Sequence, residues 1–144
     1  MTVPYFLDTN ILIYAAAGRD QAEQKRRRAR ELILEAEFGT STQVLQEFYV
    51  SVTRKIARPL SPERGLSWVE RLAKLPIAET DVPLIKAAIG LSERYRISYW
   101  DGAILAAATR LGTDLVYSED LQHTASYGTV RVVNPFREMR EAAR

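Results

Sequence analysis

Acidic side chains stand at four places where they can act together: Asp8, Glu47, Asp101 and Asp120. Asp8 follows Tyr5-Phe6-Leu7, the end of a short buried strand that Pro4 begins, and precedes an apolar helix running from Ile11 through the alanines at 15 to 17. It therefore lies at the carboxyl end of a strand, where open α/β sheets place their ligands. Asp120 sits just past the strand Asp114–Tyr117, in Ser118-Glu119-Asp120-Leu121, and a parallel sheet brings it to the same edge. Asp101 heads a helix whose positions three, four and seven further on are Ile104, Leu105 and Ala108, so it looks inward. Glu47 lies in a helix from about Thr42 to Ala57, between Val44 and Phe48, on the border of the buried stripe.

Each residue has a plainer reading. Asp8 or Thr9 caps the first helix, Glu47 is solvated, and Asp120 belongs to a turn or caps a short helix. Ser98-Tyr99-Trp100-Asp101 has the spacing of a capping box. One shared site is more economical than four separate explanations. Converging carboxylates repel and raise one another's pKa, and a divalent cation removes that penalty. The same cation activates water and stabilises charge on a phosphodiester, which is the chemistry of metal-dependent nucleases. The chain has no cysteine and one histidine, His123, so a zinc site of the usual kind is almost excluded. Oxygen donors point instead to magnesium or manganese.

The elements that must position these acids are short strands alternating with helices. A charged helix over Asp20–Glu37 carries the stripe Ala29, Leu32, Ile33 and Ala36, and Gly39 ends it. Thr40-Ser41 is a brief extended piece before the helix that carries Val44, Leu45, Phe48, Tyr49, Val52 and Ile56. Ser61-Pro62 opens the next helix, with Leu66, Val69, Leu72 and Ala73 inward. A brief strand at Pro76–Glu79 follows, then a helix capped by Asp81 that presents Leu84, Ile85, Ala88, Ile89 and Leu91. The helix Tyr99–Leu111 stops at Gly112, and its Gly102, Ala103, Ala106 and Ala107 permit close packing. The last strand is Val130–Val133. This alternation implies an α/β fold whose parallel sheet is covered on both faces.

The length of 144 residues suits a single domain, 1–144, and the apolar fraction of 47% excludes a disordered chain. No apolar run approaches the ~20 residues needed to span a membrane. With no signal-peptide pattern and no cysteines, a cytoplasmic protein is expected. No phosphate-cradling GxxxxGK[ST] or GxGxxG motif is present. The net charge of +2 does not itself argue for nucleic acid.

The chain resembles PIN-domain ribonucleases, in particular VapC-type toxins of toxin–antitoxin pairs. The resemblance rests on Phe-Leu-Asp8-Thr9-Asn10-Ile-Leu-Ile-Tyr-Ala, on Glu47, on Trp100-Asp101 before an alanine-rich helix, and on Ser118-Glu119-Asp120-Leu121-Gln122-His123. It covers essentially the whole chain. It implies a three-layer α/β/α fold with a central parallel sheet of 4–5 short strands. It also implies a magnesium or manganese site and cleavage of single-stranded or loop RNA. Asp8, Glu47, Asp101 and Asp120 match the family's acidic quartet, Asp8 and Asp101 being the surest metal contacts, and Asn10 and Ser118 match supporting polar positions. Thr9 is expected to cap the first helix. Thr124 stands where the family often has glycine.

The resemblance further implies a type II toxin, a homodimer that joins a cognate antitoxin. A housekeeping RNA-processing nuclease shares the same active site, and a non-catalytic nucleotide- or RNA-binding module is a third reading. A receiver-like domain needs a lysine near the last strand, and Val130–Val133 offers none. The run Lys25-Arg26-Arg27-Arg28, with Arg30, suits RNA phosphates or an antitoxin, although such runs are usually solvated. Tyr95, Tyr99 and Trp100 have the chemistry to stack on bases, with packing the plainer role for Trp100, and Trp68 is expected in the core.

Overall fold

The chain direction through the sheet explains where the acids meet. The computed structural model describes residues 3–17, 22–122 and 124–137. In chain order the elements are β1 (Phe6–Leu7), α1 (Thr9–Ala17), α2 (Glu23–Glu35), β2 (Thr40–Ser41), α3 (Thr42–Val50), α4 (Pro62–Leu72) and β3 (Ile77–Ala78). They continue with α5 (Val82–Tyr95), α6 (Tyr99–Arg110), β4 (Leu115–Tyr117), β5 (Ser126–Tyr127) and β6 (Val130–Val133). β1 pairs with β4 and β4 with β6, all parallel, while β2 pairs in parallel with β3. Gly39 joins the two ladders: its N–H donates to Tyr5 O (2.9 Å) and its carbonyl accepts from Leu7 N–H (3.0 Å). The spatial order is thus β3-β2-β1-β4-β6-β5.

The chain runs from β1 outward to β2 and β3, then crosses back to β4 on the other side of β1. Right-handed crossovers taken in opposite directions place their helices on opposite faces, so α1 to α4 cover one face and α5 with α6 the other. The reversal falls between β1 and β4. That is the switch point at which such sheets open a crevice beyond their carboxyl ends.

The α6 alanines and Gly102 pack closely, as their size allows. A Cβ on Gly102 would lie 2.5 Å from Ala88 O, so only glycine lets α6 sit against α5 there. Ser61, Asp81 and Ser98 cap α4, α5 and α6 through bonds to Arg64, Leu84 and Asp101 N–H.

Other expectations need correction. The helix expected to run evenly to Ala57 leaves α geometry after Val50 and passes through a π-helical turn at Ser51–Lys55. On α4 the inner positions are Gly65, Trp68 and Leu72, whereas Leu66 is 52% exposed and Ala73 is exposed. Gly65 accounts for this rotation: a Cβ there would meet Tyr49 of α3 at 3.1 Å and Thr53 Cγ2 of the π-helical turn at 2.8 Å, so the glycine face is the one that docks there. Ile89 on α5 is also half exposed.

The sheet carries an antiparallel hairpin, β5 on β6, with Tyr127 opposite Val130 and Gly128 turning at φ 65°. Its signal was present in the sequence, since Gly128-Thr129 is a two-residue glycine turn between paired positions. α2 begins at Glu23, and the expected start at Asp20 lies outside the described residues, as do His123 and the charged tail from 138 onward.

Candidate active site

Asp8 and Ser118 emerge side by side from the switch point. The register pairs Leu7 with Tyr117, and Asp8 N–H continues the ladder onto Tyr117 O at 3.1 Å. The Asp8 side chain is then turned into the fold, 5% exposed. Its Oδ1 accepts Thr9 N–H at 2.7 Å and its Oδ2 accepts the Ser118 hydroxyl at 2.7 Å. Each oxygen keeps capacity for one further contact.

Burial raises the Asp8 carboxyl to about 6, against those two hydrogen bonds, and the negative charges of Asp120 and Glu47 push it the same way. Asp101, at the head of α6, is also raised by burial and by Asp120 and Glu47, with the Ser98 hydroxyl opposing. Asp120 and Glu47 thus bear on both of the other acids. The structure gathers the carboxylates from the end of β1, the middle of α3, the start of α6 and the loop after β4 into one electrostatic neighbourhood.

Polar neighbours hold these acids. Ser118, fully buried, also accepts Asp120 N–H (3.2 Å) and Leu121 N–H (3.4 Å), so one hydroxyl ties the loop to Asp8. Asn10 accepts Glu119 N–H on Oδ1 at 3.1 Å, while its buried Nδ2 has no partner among the described residues. An unpaired amide donor beside the acids is ready for a water or a substrate oxygen.

Thr9 does not cap α1 with its side chain. Its N–H bonds Asp8 and its hydroxyl donates to Glu47 Oε2 at 2.8 Å, linking two of the acids. Gln43, which the sequence left unremarked, donates to Glu47 Oε1 at 3.2 Å and reaches the Trp100 carbonyl at 3.5 Å, next to Asp101. Its signal was the four-residue spacing from Glu47 on one helix.

Aromatic groups border the acids. Trp100 is 63% exposed, not core, and meets the Tyr99 ring edge-on at 5.0 Å. Tyr127 packs edge-on against Tyr95 and feels the charge of Asp101. Trp68 lies away from the site, half buried against Phe48. The arginines of the basic run on α2 have partners elsewhere: Arg26 and Arg27 pair with Glu23, Arg28 with Glu31, and Arg30 Nε donates to Ala15 O. Thr124 has φ 64°, so the backbone takes the left-handed turn that glycine would favour, with its N–H on Val132 O at 2.8 Å.

All the acids offer oxygen, the donor chemistry of a hard divalent cation. Among the described residues, no three acidic or histidine groups stand close enough to form a ready-made cage.

Comparison with curated proteins gives no match to the sequence. Among solved structures, a toxin–antitoxin complex from Klebsiella pneumoniae aligns with TM-score 0.67 at 21% identity, covering 91% of this chain and 97% of that one. VapC20 from Mycobacterium tuberculosis, a sarcin–ricin loop cleaving toxin, aligns with TM-score 0.64 at 19% identity over 81% of this chain and 89% of its own. DNA-bound VapBC from Salmonella typhimurium gives 0.60 at 20%, over 91% and 97%. At these identities the likeness is one of fold. The model of the PIN domain matches residues 5–126, most of the length, and the chain belongs to the PIN domain family.

Proposed function

We propose that this protein is a magnesium- or manganese-dependent endoribonuclease, the toxin of a type II toxin–antitoxin pair. The observation that carries the reading is the convergence of Asp8, Glu47, Asp101 and Asp120, with Asp8 raised to about 6 inside the fold. A fold that spends stability on crowded, partly buried carboxylates has a use for them in binding a cation. Asp8 and Asp101 would hold the ion, with Glu47 and Asp120 contacting it directly or through its waters. When bound, the ion would ease deprotonation of an attacking water and supply positive charge against the phosphate. Ser118 and the Thr9 amide orient Asp8, the Thr9 hydroxyl and Gln43 orient Glu47, and Asn10 Nδ2 has a free hydrogen for a substrate oxygen.

The toxin role rests on likeness to partnered toxins and on a groove remote from the acids. Ile33 and Leu34 of α2 face Trp68, Leu72 and Leu75 across a cavity of about 380 Å³, with Arg30 and Arg71 at its rim. Leu34 is 85% exposed. An apolar slot with a basic rim fits an amphipathic antitoxin segment carrying acidic residues. A homodimer would find exposed apolar positions at Val82 and Ile89 on α5. Such a pair acts on RNA in the cytoplasm. A housekeeping RNA-processing nuclease shares the site but needs no antitoxin.

The test is cleavage of total cellular RNA with the new ends mapped, comparing the parent protein with Asp8→Asn, with magnesium and with excess EDTA. Discrete new ends made only by the parent with metal support the reading. Equal cleavage by the variant, or in EDTA, overturns it.

A further inference from the structure

The loop that carries Asp120 is fastened from outside the acid cluster. Glu119 stands between two site residues, Ser118 and Asp120, and its side chain turns the opposite way. Its Oε2 accepts Lys25 Nζ at 2.6 Å and its Oε1 accepts the Tyr14 hydroxyl at 2.9 Å. Lys25 Nζ is also 3.3 Å from the Tyr14 oxygen, 5.0 Å from the Tyr14 ring centre and 5.5 Å from that of Phe136. Tyr14 and Phe136 meet edge-on at 5.1 Å, closing an aromatic seat around the ammonium. The side chains of Lys25 and Glu119 are 25% and 23% exposed, so solvent screens their bridge only in part.

Lys25 occupies the first turn of α2, where the helix dipole disfavours a cation. Its partners, not its helix, favour the charge there. This separates it from Arg26, Arg27 and Arg28, whose acidic partners lie within α2.

We propose that Lys25, with Tyr14, is a positioning residue of the active site: it clamps Glu119 and so fixes the direction in which Asp120 meets the other acids. Asp120 is exposed, and its N–H is held on Ser118 Oγ. Glu119 is held at its N–H by Asn10 and at both carboxylate oxygens by the clamp. With Glu119 fixed on one side of it and Leu121 N–H held on Ser118 Oγ on the other, the loop has little freedom left at Asp120. Without the clamp, one amide bond to Asn10 must hold residue 119 alone.

The inference rests on the nuclease reading for its consequence in catalysis, but not for the clamp itself. The experiment compares the parent with Lys25→Met, Glu119→Gln, Tyr14→Phe and Lys25→Arg. It reads amide hydrogen exchange at 118–121, manganese affinity by titration calorimetry, and kcat and KM on RNA. Lys25→Met is expected to speed exchange at 118–121 by about tenfold with α6 unchanged, and to weaken manganese binding by about fivefold. kcat should fall more than KM rises, and Lys25→Arg should recover most of each loss. Glu119→Gln keeps the shape of the loop and should give the same pattern more mildly, which serves if Lys25→Met does not fold. Unchanged exchange at 118–121 in both Lys25→Met and Glu119→Gln, or a uniform loss of protection across the fold, overturns the clamp. Loosened exchange and weakened manganese binding in the two variants, together with a parent that cuts no RNA, uphold the clamp and overturn the nuclease reading instead.

Discussion

The carboxyl edge of the sheet and helix α2 treat charge in opposite ways. α2 carries a dense basic run, yet each of Lys25, Arg26, Arg27 and Arg28 has an acidic partner within the chain. At the sheet edge, acids from separate elements gather with hydroxyl and amide donors around them, and Asp8 and Asp101 are raised first by burial and then by their neighbours' like charge. The conspicuous run of charge is paired, with Arg26 and Arg27 sharing Glu23; the buried and half-buried acids at the sheet edge are the ones left under tension. Charge density along a sequence is therefore a poorer guide to function than charge the fold leaves uncompensated.

Removing one acid breaks the contrast most sharply. Asp8→Asn and Asp101→Asn should each lower RNA cleavage by at least ~100-fold if the metal they hold supplies several kcal/mol to the transition state. Single-turnover rates on one defined RNA measure this, and a loss below tenfold in both variants breaks the comparison. Supplying the cation should do the reverse for stability. Magnesium or manganese at about a hundred times its dissociation constant adds about 2.7 kcal/mol to the native state. Thermal melts with and without metal read that shift, which should shrink in Asp101→Asn.

Proton binding offers a gentler version of the same test. Asp8 has a folded pKa of about 6 against an ordinary 3.8, so the native state binds its proton more tightly than the unfolded chain does. Below pH 3.8 both states are protonated and nothing is lost; the cost of ionising Asp8 grows as pH rises toward 6 and is complete above it. Metal-free Asp8→Asn should therefore gain on the parent across that window, by on the order of 1–2 kcal/mol at pH 7 after its changed hydrogen bonds are allowed for. Urea melts at pH 4 and pH 7 compare the two, and an equal difference at both values sinks the argument.

The smallest effect is expected at the three consecutive arginines of α2. Replacing Arg26, Arg27 and Arg28 together with alanine should cost no more than about 0.5 kcal/mol per ion pair. It should also change the salt dependence of RNA binding by less than about 0.7 in log–log slope, the share of one phosphate contact on a single strand. Binding at several salt concentrations in the Asp8→Asn background checks this. A larger drop in slope would make the run an RNA contact after all.

What the sequence made legible follows from how local each signal is. Asp8 and Asp120 could be placed because a strand end is marked by its own apolar residues and because parallel strands share an edge. Asp101 was placed by its helix face. Glu47 stayed ambiguous, because its role depends on Thr9 reaching it from another element, 38 positions away. Periodicity finds a stripe on a helix but not its rotation, so Leu66, Ala73 and Ile89 were expected inward; the close contact at Gly65 decided the rotation of α4. The Lys25–Glu119 pair spans 94 positions and has no local trace at all.

The outer strands of the sheet have a bearing on how this protein behaves among others. β3 and β5, at the two ends of the strand order, are each only 2 residues long. A longer bare edge would present a row of unpaired amides and carbonyls on which a foreign β-segment could grow. Here an incoming strand finds too little ladder to register against. The protein can thus keep its chemistry open at the ends of its strands while offering almost no template along their sides for aggregation.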